Sequence, residues 1–146
     1  MLGKDLILKF EIVTKKELLL FFKQVTIFFP KFLDNGISEK YATKLSCNAD
    51  FITVRYNNEI VGMIAYYMNV RPICYLSFCC TLQDYQNKGI FINMLKEIEI
   101  KAQANDFTTI KLEVSNSNVL ARKLYEKIGF VYDGVSERGF YMVKKI

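Results

Sequence analysis

Gln86-Asn87-Lys88-Gly89-Ile90-Phe91, then Lys111-Leu112-Glu113-Val114, then Asn118-Val119-Leu120-Ala121-Arg122-Lys123-Leu124-Tyr125-Glu126-Lys127-Ile128-Gly129-Phe130: this interrupted stretch decides how the chain folds. From Ile90 the apolar residues recur at Ile90, Phe91, Met94, Leu95, Ile98 and Ala102, the stripe of an amphipathic helix, with Lys96, Glu97 and Lys101 outside it. Asn105-Asp106 ends that helix. Phe107 to Val114 then alternates, Ile110, Leu112 and Val114 on one face and Lys111 and Glu113 on the other, which is the period of a strand. Asn118 to Ile128 is a second amphipathic helix, stopped by Gly129.

Upstream, Leu6 to Val13 alternates as a strand, Leu6, Leu8 and Phe10 against Lys9 and Glu11. Thr14 and Glu17 form a capping box for a helix over about Lys15 to Phe29, ended by Pro30 and apolar on more than one face. Asp34-Asn35-Gly36 is a turn, and Ser38 caps a short helix through Tyr41, Ala42 and Leu45. Phe51 to Tyr56 and Ile60 to Met68 are strands of a hairpin joined by Asn57-Asn58-Glu59. After a turn at Arg71-Pro72, Ile73 to Leu82 reads as a strand buried on both faces. Phe130 to Tyr132 and Phe140 to Lys144 are two further strands around a turn at Asp133-Gly134. The order β-α-α-β-β-β-α-β-α-β-β, a meander with two crossover helices, predicts one α/β domain over residues 1–146 built on a mixed sheet.

Composition narrows the function classes. The 146 residues suit one domain, and 51% apolar with 24% charged residues argues against disorder. The net charge of +5 is spread evenly, ten basic and seven acidic groups in residues 1–73 and ten and eight in the remainder, so no nucleic-acid surface is implied. Leu18 to Phe29 is apolar but too short, and broken by Lys23 and Gln24, to cross a membrane, and no signal peptide is visible. A soluble cytoplasmic protein is expected. The sequence contains no His, which removes Ser-His-Asp and Cys-His catalysis and leaves Glu, Asp, Tyr, Lys or Cys for proton transfer. Cys47, Cys74, Cys79 and Cys80 form no ligand knuckle, so no metal is expected, and they read as buried thiols in a reducing compartment.

A helix N-terminus carries unpaired amides and a partial positive charge, and the turn Gln86-Asn87-Lys88-Gly89 adds amides, a cation and a glycine that admits a ligand. The plain alternative is a structural glycine before a helix. Asn118 and Tyr125, seven apart on the second helix, share a face. Asn118 reads equally as an N-cap, Tyr125 equally as a packed aromatic beside Leu124.

The chain here resembles the Gcn5-related N-acetyltransferase (GNAT) superfamily. Its pyrophosphate loop reads Gln/Arg-x-x-Gly-x-Gly/Ala, and Gln86 to Phe91 matches the Gln and the first Gly. Gln83 stands where the family often has Pro, and Phe91 replaces the second small residue. The later family pattern Asn-x-x-Ala-x-x-Leu-Tyr-x-Lys-x-Gly-Phe is filled throughout by Asn118, Ala121, Leu124, Tyr125, Lys127, Gly129 and Phe130. The resemblance covers about Ile60 to Tyr132 and implies a mostly antiparallel sheet of about seven strands flanked by four helices. It implies an acetyl-CoA core over about 73–130, with Gln86, Asn87, Lys88, Gly89, Ile90 and Phe91 on the pyrophosphate. Cys79, Cys80 and Thr81 would pair their backbone with pantetheine, and Asn118 would bond its amide. It implies Glu113 as general base and Tyr125 as general acid, a phenol suited to protonating a departing thiolate. The alternative for Glu113 is a solvated strand carboxylate paired with Lys111, with Ser77 and Asp84 as weaker candidates for the base. Cys79 or Cys80 as an acyl carrier is the weaker alternative to direct transfer.

The implied reaction is acetyl transfer to a primary amine, a peptide N-terminus or amino sugar in preference to a polyamine. Acceptor-side helices would lie over about 15–46, and a homodimer is left open. The rival reading is a non-catalytic CoA-binding regulatory or interaction module.

Overall fold

The computed structural model describes residues 2–146, and its elements follow the predicted order. They are β1 (Leu6–Phe10), α1 (Lys15–Gln24), α2 (Asn35–Asn48), β2 (Asp50–Tyr56), β3 (Glu59–Val70), β4 (Ile73–Thr81), α3 (Ile90–Ala104), β5 (Thr109–Ser115), α4 (Val119–Lys127), β6 (Val131–Val135) and β7 (Gly139–Lys145). Single 3-10 turns lie at Pro30–Leu33 and Gln83–Tyr85. The seven strands hydrogen-bond in the order β1-β2-β3-β4-β5-β7-β6. The β4–β5 pair is parallel, whereas β1–β2, β2–β3, β5–β7 and β6–β7 are antiparallel. The predicted α/β class, a mixed and mostly antiparallel sheet with four helices, is the one found.

The chain divides into two compact units. The first takes the chain up to Tyr66 together with Phe78–Glu97, and the second takes Tyr67–Ser77 with Ile98–Ile146. In the first, Leu18, Phe21 and Phe22 of α1 and Ala42 and Leu45 of α2 are buried with Phe51, Met63, Ala65 and Phe78. Aromatic rings supply much of this core, Phe22 stacking on Phe32 at 4.1 Å and meeting Phe78 edge-on at 5.4 Å. On β3, Gly62 is small for a reason: a Cβ there would stand 2.8 Å from Cγ2 of Ile90, so its absence lets the first residue of α3 seat against the strand. In the second unit, Ile110, Leu112 and Val114 point inward, as the alternation predicts, and Met142 of β7 is buried opposite Leu112.

Several boundaries differ from expectation, each for a local reason. Helix α1 stops at Gln24, short of Phe29, because Val25-Thr26-Ile27 is a β-branched run, and Phe29 before Pro30 is pushed out of the helical region (φ −131°, ψ 75°). Helix α2 starts earlier than predicted: Asp34 caps it, accepting from the Gly36 and Ile37 amides, while Ser38 is buried and donates to Phe32 O at 3.0 Å. Strand β4 is not buried on both faces. Cys74, Leu76 and Phe78 are buried, while Tyr75, Ser77 and Cys79 between them are half-buried. The last turn falls at Ser136–Arg138, because Asp133-Gly134 sits in β6, where the register shifts between Tyr132 and Val135. The hairpin turn is Asn57-Asn58 alone, both at positive φ (50° and 67°), and Glu59, expected in the connection, is already the first residue of β3.

Candidate active site

The loop after β4 is built from its own backbone. Leu82 N–H donates to Val61 O at 2.8 Å, the 3-10 turn follows, and Gln86 is extended with φ −71° and ψ 160°. Its side-chain Nε2 donates to Thr81 O at 3.2 Å, tying the loop back to the end of its strand. Asn87 and Gly89 both take left-handed φ, 62° and 77°. Left-handed residues in a turn are a backbone arrangement that anion-binding loops use, and this loop leads into the N-terminus of α3. Gly89 O accepts from Asn93 N at 3.0 Å and from Asn93 Nδ2 at 2.7 Å, so Asn93 fixes the carbonyl that starts the helix. Ile90 is buried and Phe91 half-buried, so the anchor of the loop to the core is Ile90. Lys88 is exposed and lines an open groove of about 370 Å³ with Lys4, Tyr56 and Tyr85.

Cys79, Cys80 and Thr81 close β4 and are half-buried. The β4–β5 ladder runs from Ile73↔Thr109 to Leu76↔Leu112, and these three residues lie beyond it. Burial pushes the Cys80 thiol up to about 12, and a backbone hydrogen bond at Thr81 lowers it by less. A thiol held protonated is a poor nucleophile, and Cys80 packs against the apolar core.

In the second unit, Asn118 is the N-cap of α4, its Oδ1 accepting from Ala121 N–H at 3.1 Å. That cap leaves the Nδ2 donors as the part able to meet a ligand. Tyr125 is half-buried, with its ring 5.6 Å from that of Phe130, and Phe130 N–H donates to Tyr125 O at 2.9 Å. Gly129, at φ 108°, supplies the left-handed step that turns the chain from helix to β6. No residue of α4 is fully buried, and Ala121, Leu124 and Tyr125 on one side of it are half-buried.

Glu113 is the residue whose setting the sequence describes least well. Its expected partner Lys111 is elsewhere, over the Tyr141 ring at 4.4 Å and 3.7 Å from Asp133. The Glu113 carboxylate instead meets the β6–β7 turn: Oε1 accepts from Arg138 Nη2 at 3.0 Å. Burial raises its proton affinity, but the polar groups of Ser136 and Arg138 and the Arg138 charge outweigh burial and hold it below the usual carboxylate range. The group is therefore ionised and ready to accept a proton, though a weaker base than a free glutamate. Gly139 makes the contact possible: a Cβ there would run into Val114 O and lie 2.9 Å from Asn116 N, so the turn packs directly on the end of β5.

Sequence reasoning missed Gly62, Asn93, Ser136, Arg138 and Gly139. For Gly62 the signal was present, an isolated Gly inside the Ile60 to Met68 strand pattern marking close approach of another element, whereas Gly139 lies just outside the Phe140 to Lys144 pattern. For Arg138 no signal existed, because its partner is distant in sequence.

The profile of the Acetyltransferase (GNAT) family matches residues 21–130. The chain belongs to that family. It is also 32% identical over 85 residues to the Uncharacterized protein YdhI of Bacillus subtilis (strain 168), a match covering 58% of this chain and 51% of that protein. The chain thus spans about half the length of that curated relative. Among solved structures it superposes on an acetyltransferase from Streptococcus agalactiae 2603 with TM-score 0.79 and 17% identity, over 99% of this chain and 100% of that one. It superposes on the PaiA N-acetyltransferase of Thermoplasma acidophilum, in complex with coenzyme A, with TM-score 0.77 and 16% identity, over 96% and 99% of the two chains. A putative streptothricin acetyltransferase from Bacillus anthracis, in complex with acetyl coenzyme A, is 24% identical over 68% of this chain and 63% of that one, with TM-score 0.61. At these identities the structures establish the fold. Among the described residues, no helix is long and apolar enough to cross a membrane, and no group of three His, Cys, Asp or Glu side chains could hold a metal ion.

Proposed function

We propose that this chain transfers the acetyl group of acetyl-CoA to a primary amine, by direct attack of the amine on the thioester. The observation that carries the reading is the loop of Gln86 to Phe91, which takes left-handed φ at Asn87 and Gly89, carries the exposed Lys88 and leads into the N-terminus of α3. That chemistry suits a pyrophosphate. Gln86 acts here by holding the loop shape through Thr81 O, and the backbone of Cys79 to Thr81 would carry the pantetheine arm.

In the reaction, Glu113 accepts a proton from the ammonium, directly or through water, and the freed amine nitrogen attacks the thioester carbonyl carbon. The carbon–sulfur bond breaks as the carbon–nitrogen bond is completed. Tyr125 gives a proton to the thiolate, the second proton that the nitrogen sheds on becoming an amide restores the phenol through water, and Asn118 orients the pantetheine through Nδ2. Family membership, the Asn118 cap and the half-buried Tyr125 support these assignments. The four cysteines form no disulfide, which suits a cytoplasmic enzyme, though Cys47 is exposed and only Cys74 fully buried where buried thiols were expected; the raised Cys80 thiol favours direct transfer over an acyl-cysteine.

The test is release of free thiol from acetyl-CoA with a panel of amines, alongside calorimetric binding. Tyr125→Phe should lower kcat about a hundredfold while acetyl-CoA affinity stays within about twofold. Equal turnover in that variant removes Tyr125 as the acid. A second reading, a CoA-binding module without catalysis, is favoured by one observation, the engagement of Glu113 by the β6–β7 turn. Tight acetyl-CoA binding with no thiol release on any amine would select it.

A further inference from the structure

The Glu113–Arg138 pair is lopsided. The Glu113 side chain is 16% exposed and the Arg138 side chain 64% exposed, so the carboxylate is sheltered and the guanidinium stands in solvent. Arg138 gives Nη2 to Glu113, one donor of a planar fork that carries five. The one hydrogen bond that Glu113 receives from the turn is this guanidinium contact, so its carboxylate is opened when the guanidinium turns away. The turn itself cannot retreat easily, because Gly139 is packed on the backbone of Val114 and Asn116, and Gly139 N–H is tied to Ser136 Oγ at 3.0 Å. The backbone is thus pinned while the long side chain is able to swing.

We infer that Glu113 and Arg138 together read a zwitterion: the acceptor is an amine that carries its own carboxylate, as a free α-amino acid does, with its ammonium at Glu113 and its carboxylate on Arg138. The inference rests on the acetyl-transfer reading and narrows its acceptor. An internal ion pair is exchanged for two intermolecular ones of the same kind, so binding forms no unpaired charge. The guanidinium fork matches a carboxylate with two parallel N–H donors, which a single-point lysine cannot do. Glu113, carried on β5 and 16% exposed, is then beside the ammonium it deprotonates. In this role Arg138 is a specificity residue and takes no proton. Neighbouring charges do not compete for the acceptor carboxylate, since Lys111 lies by Asp133 and Arg122 lies 4.0 Å from Glu126.

The experiment pairs free leucine and phenylalanine with their C-terminal amides. Thiol release should favour each free acid over its amide by about ten- to a hundredfold in kcat/KM, the size of one charge-assisted contact. Arg138→Gln should bring that ratio to about one, and Arg138→Lys should restore part of it. Independently of turnover, the Glu113 carboxyl carbon in a 13C-glutamate-labelled protein should shift on titration with leucine and not with leucinamide. A ratio near one in the wild type, a preference retained in Arg138→Gln, or no Glu113 shift with either free acid overturns the inference. If simple alkyl amines are acetylated and amino acids are not, the zwitterion reading fails and acetyl transfer stands. If leucine shifts Glu113 but no amine yields thiol, acetyl transfer is the reading that fails.

Discussion

Arg55 and Arg138 are both paired with glutamate across the fold, and the two pairs do opposite things. Arg55 on β2 is 14% exposed, and all its nitrogens are engaged: Nε on Glu11 at 2.8 Å, Nη2 on Glu11 and Glu17 at 3.0 and 2.7 Å, Nη1 on Asn58 O at 2.6 Å. Thr53 adds its hydroxyl to Glu11, and Glu17 is itself the N3 residue of the α1 capping box. The network locks the chain beyond β1 and the start of α1 to β2. Arg138 has one side-chain partner and an open face. A guanidinium whose three nitrogens are all bonded within the protein is scaffold, and one with nitrogens left in water is available for recognition. Residue type alone does not separate the two.

The sharpest way to break this division is at the acids. Glu113→Gln keeps shape and removes the base, so turnover should fall by about a hundredfold or more. Glu17→Gln, in the scaffold network, should leave turnover within about twofold while lowering the urea midpoint. Thiol-release kinetics on both variants decide it. If Glu17→Gln lost turnover as Glu113→Gln does, the scaffold network would belong to the active site and the contrast would collapse.

Next comes stability at the arginines. Arg55→Met leaves Glu11 and Glu17 partly buried without their cation, which should cost about 2–4 kcal/mol of unfolding free energy. Arg138→Gln removes an exposed pair and should cost under about 1 kcal/mol. Urea unfolding followed by far-UV circular dichroism measures both. Similar losses would mean that Arg138 is also scaffold, and the acceptor-reading role would lose its physical basis.

These networks also mark where sequence stops being informative. The capping box of Thr14 and Glu17, the Asn57-Asn58 turn and the Asn118 cap are all legible, because both partners lie within a few residues and their geometry is local. The end of α1 was misjudged by weighting Pro30 over the β-branched run before it, which is still a local error. Partner choice is different in kind. Glu113 has Lys111 two residues away on the same face, and Arg138 twenty-five residues away takes it instead. That choice is made by the β6–β7 turn folding against the end of β5, which needs Gly139 to be bare. Likewise Glu11 reads as an outward charge on an alternating strand, yet Arg55 draws it into shelter. The chemistry of the site was legible as a set of residue types, but the state of each group was not.

The smallest effect is on pH, and it separates the scaffold pair from the rest. At Glu11 burial raises the carboxyl pKa, but the hydrogen bonds from Arg55 and Thr53 and the Arg55 charge outweigh it, leaving it lowered. At Glu17 the Arg55 hydrogen bond is the largest influence and lowers it further than burial raises it. A carboxyl with a lower pKa in the folded state than its unfolded value of about 4.3 stabilises the fold above that value. The stabilisation is lost as pH falls below about 4.3 and on through the folded pKa, because the folded state resists protons that the unfolded chain takes up. Unfolding free energy should therefore be flat from pH 7 down to about 5 and then decline, more steeply in the wild type than in Arg55→Met. Glu113 declines with them in both proteins and cancels in the difference. Parallel urea titrations from pH 7 to pH 3 give that difference directly. Superimposable slopes would mean that Arg55 does not control the two carboxylates, and that the lock across β1, α1 and β2 is held by packing alone.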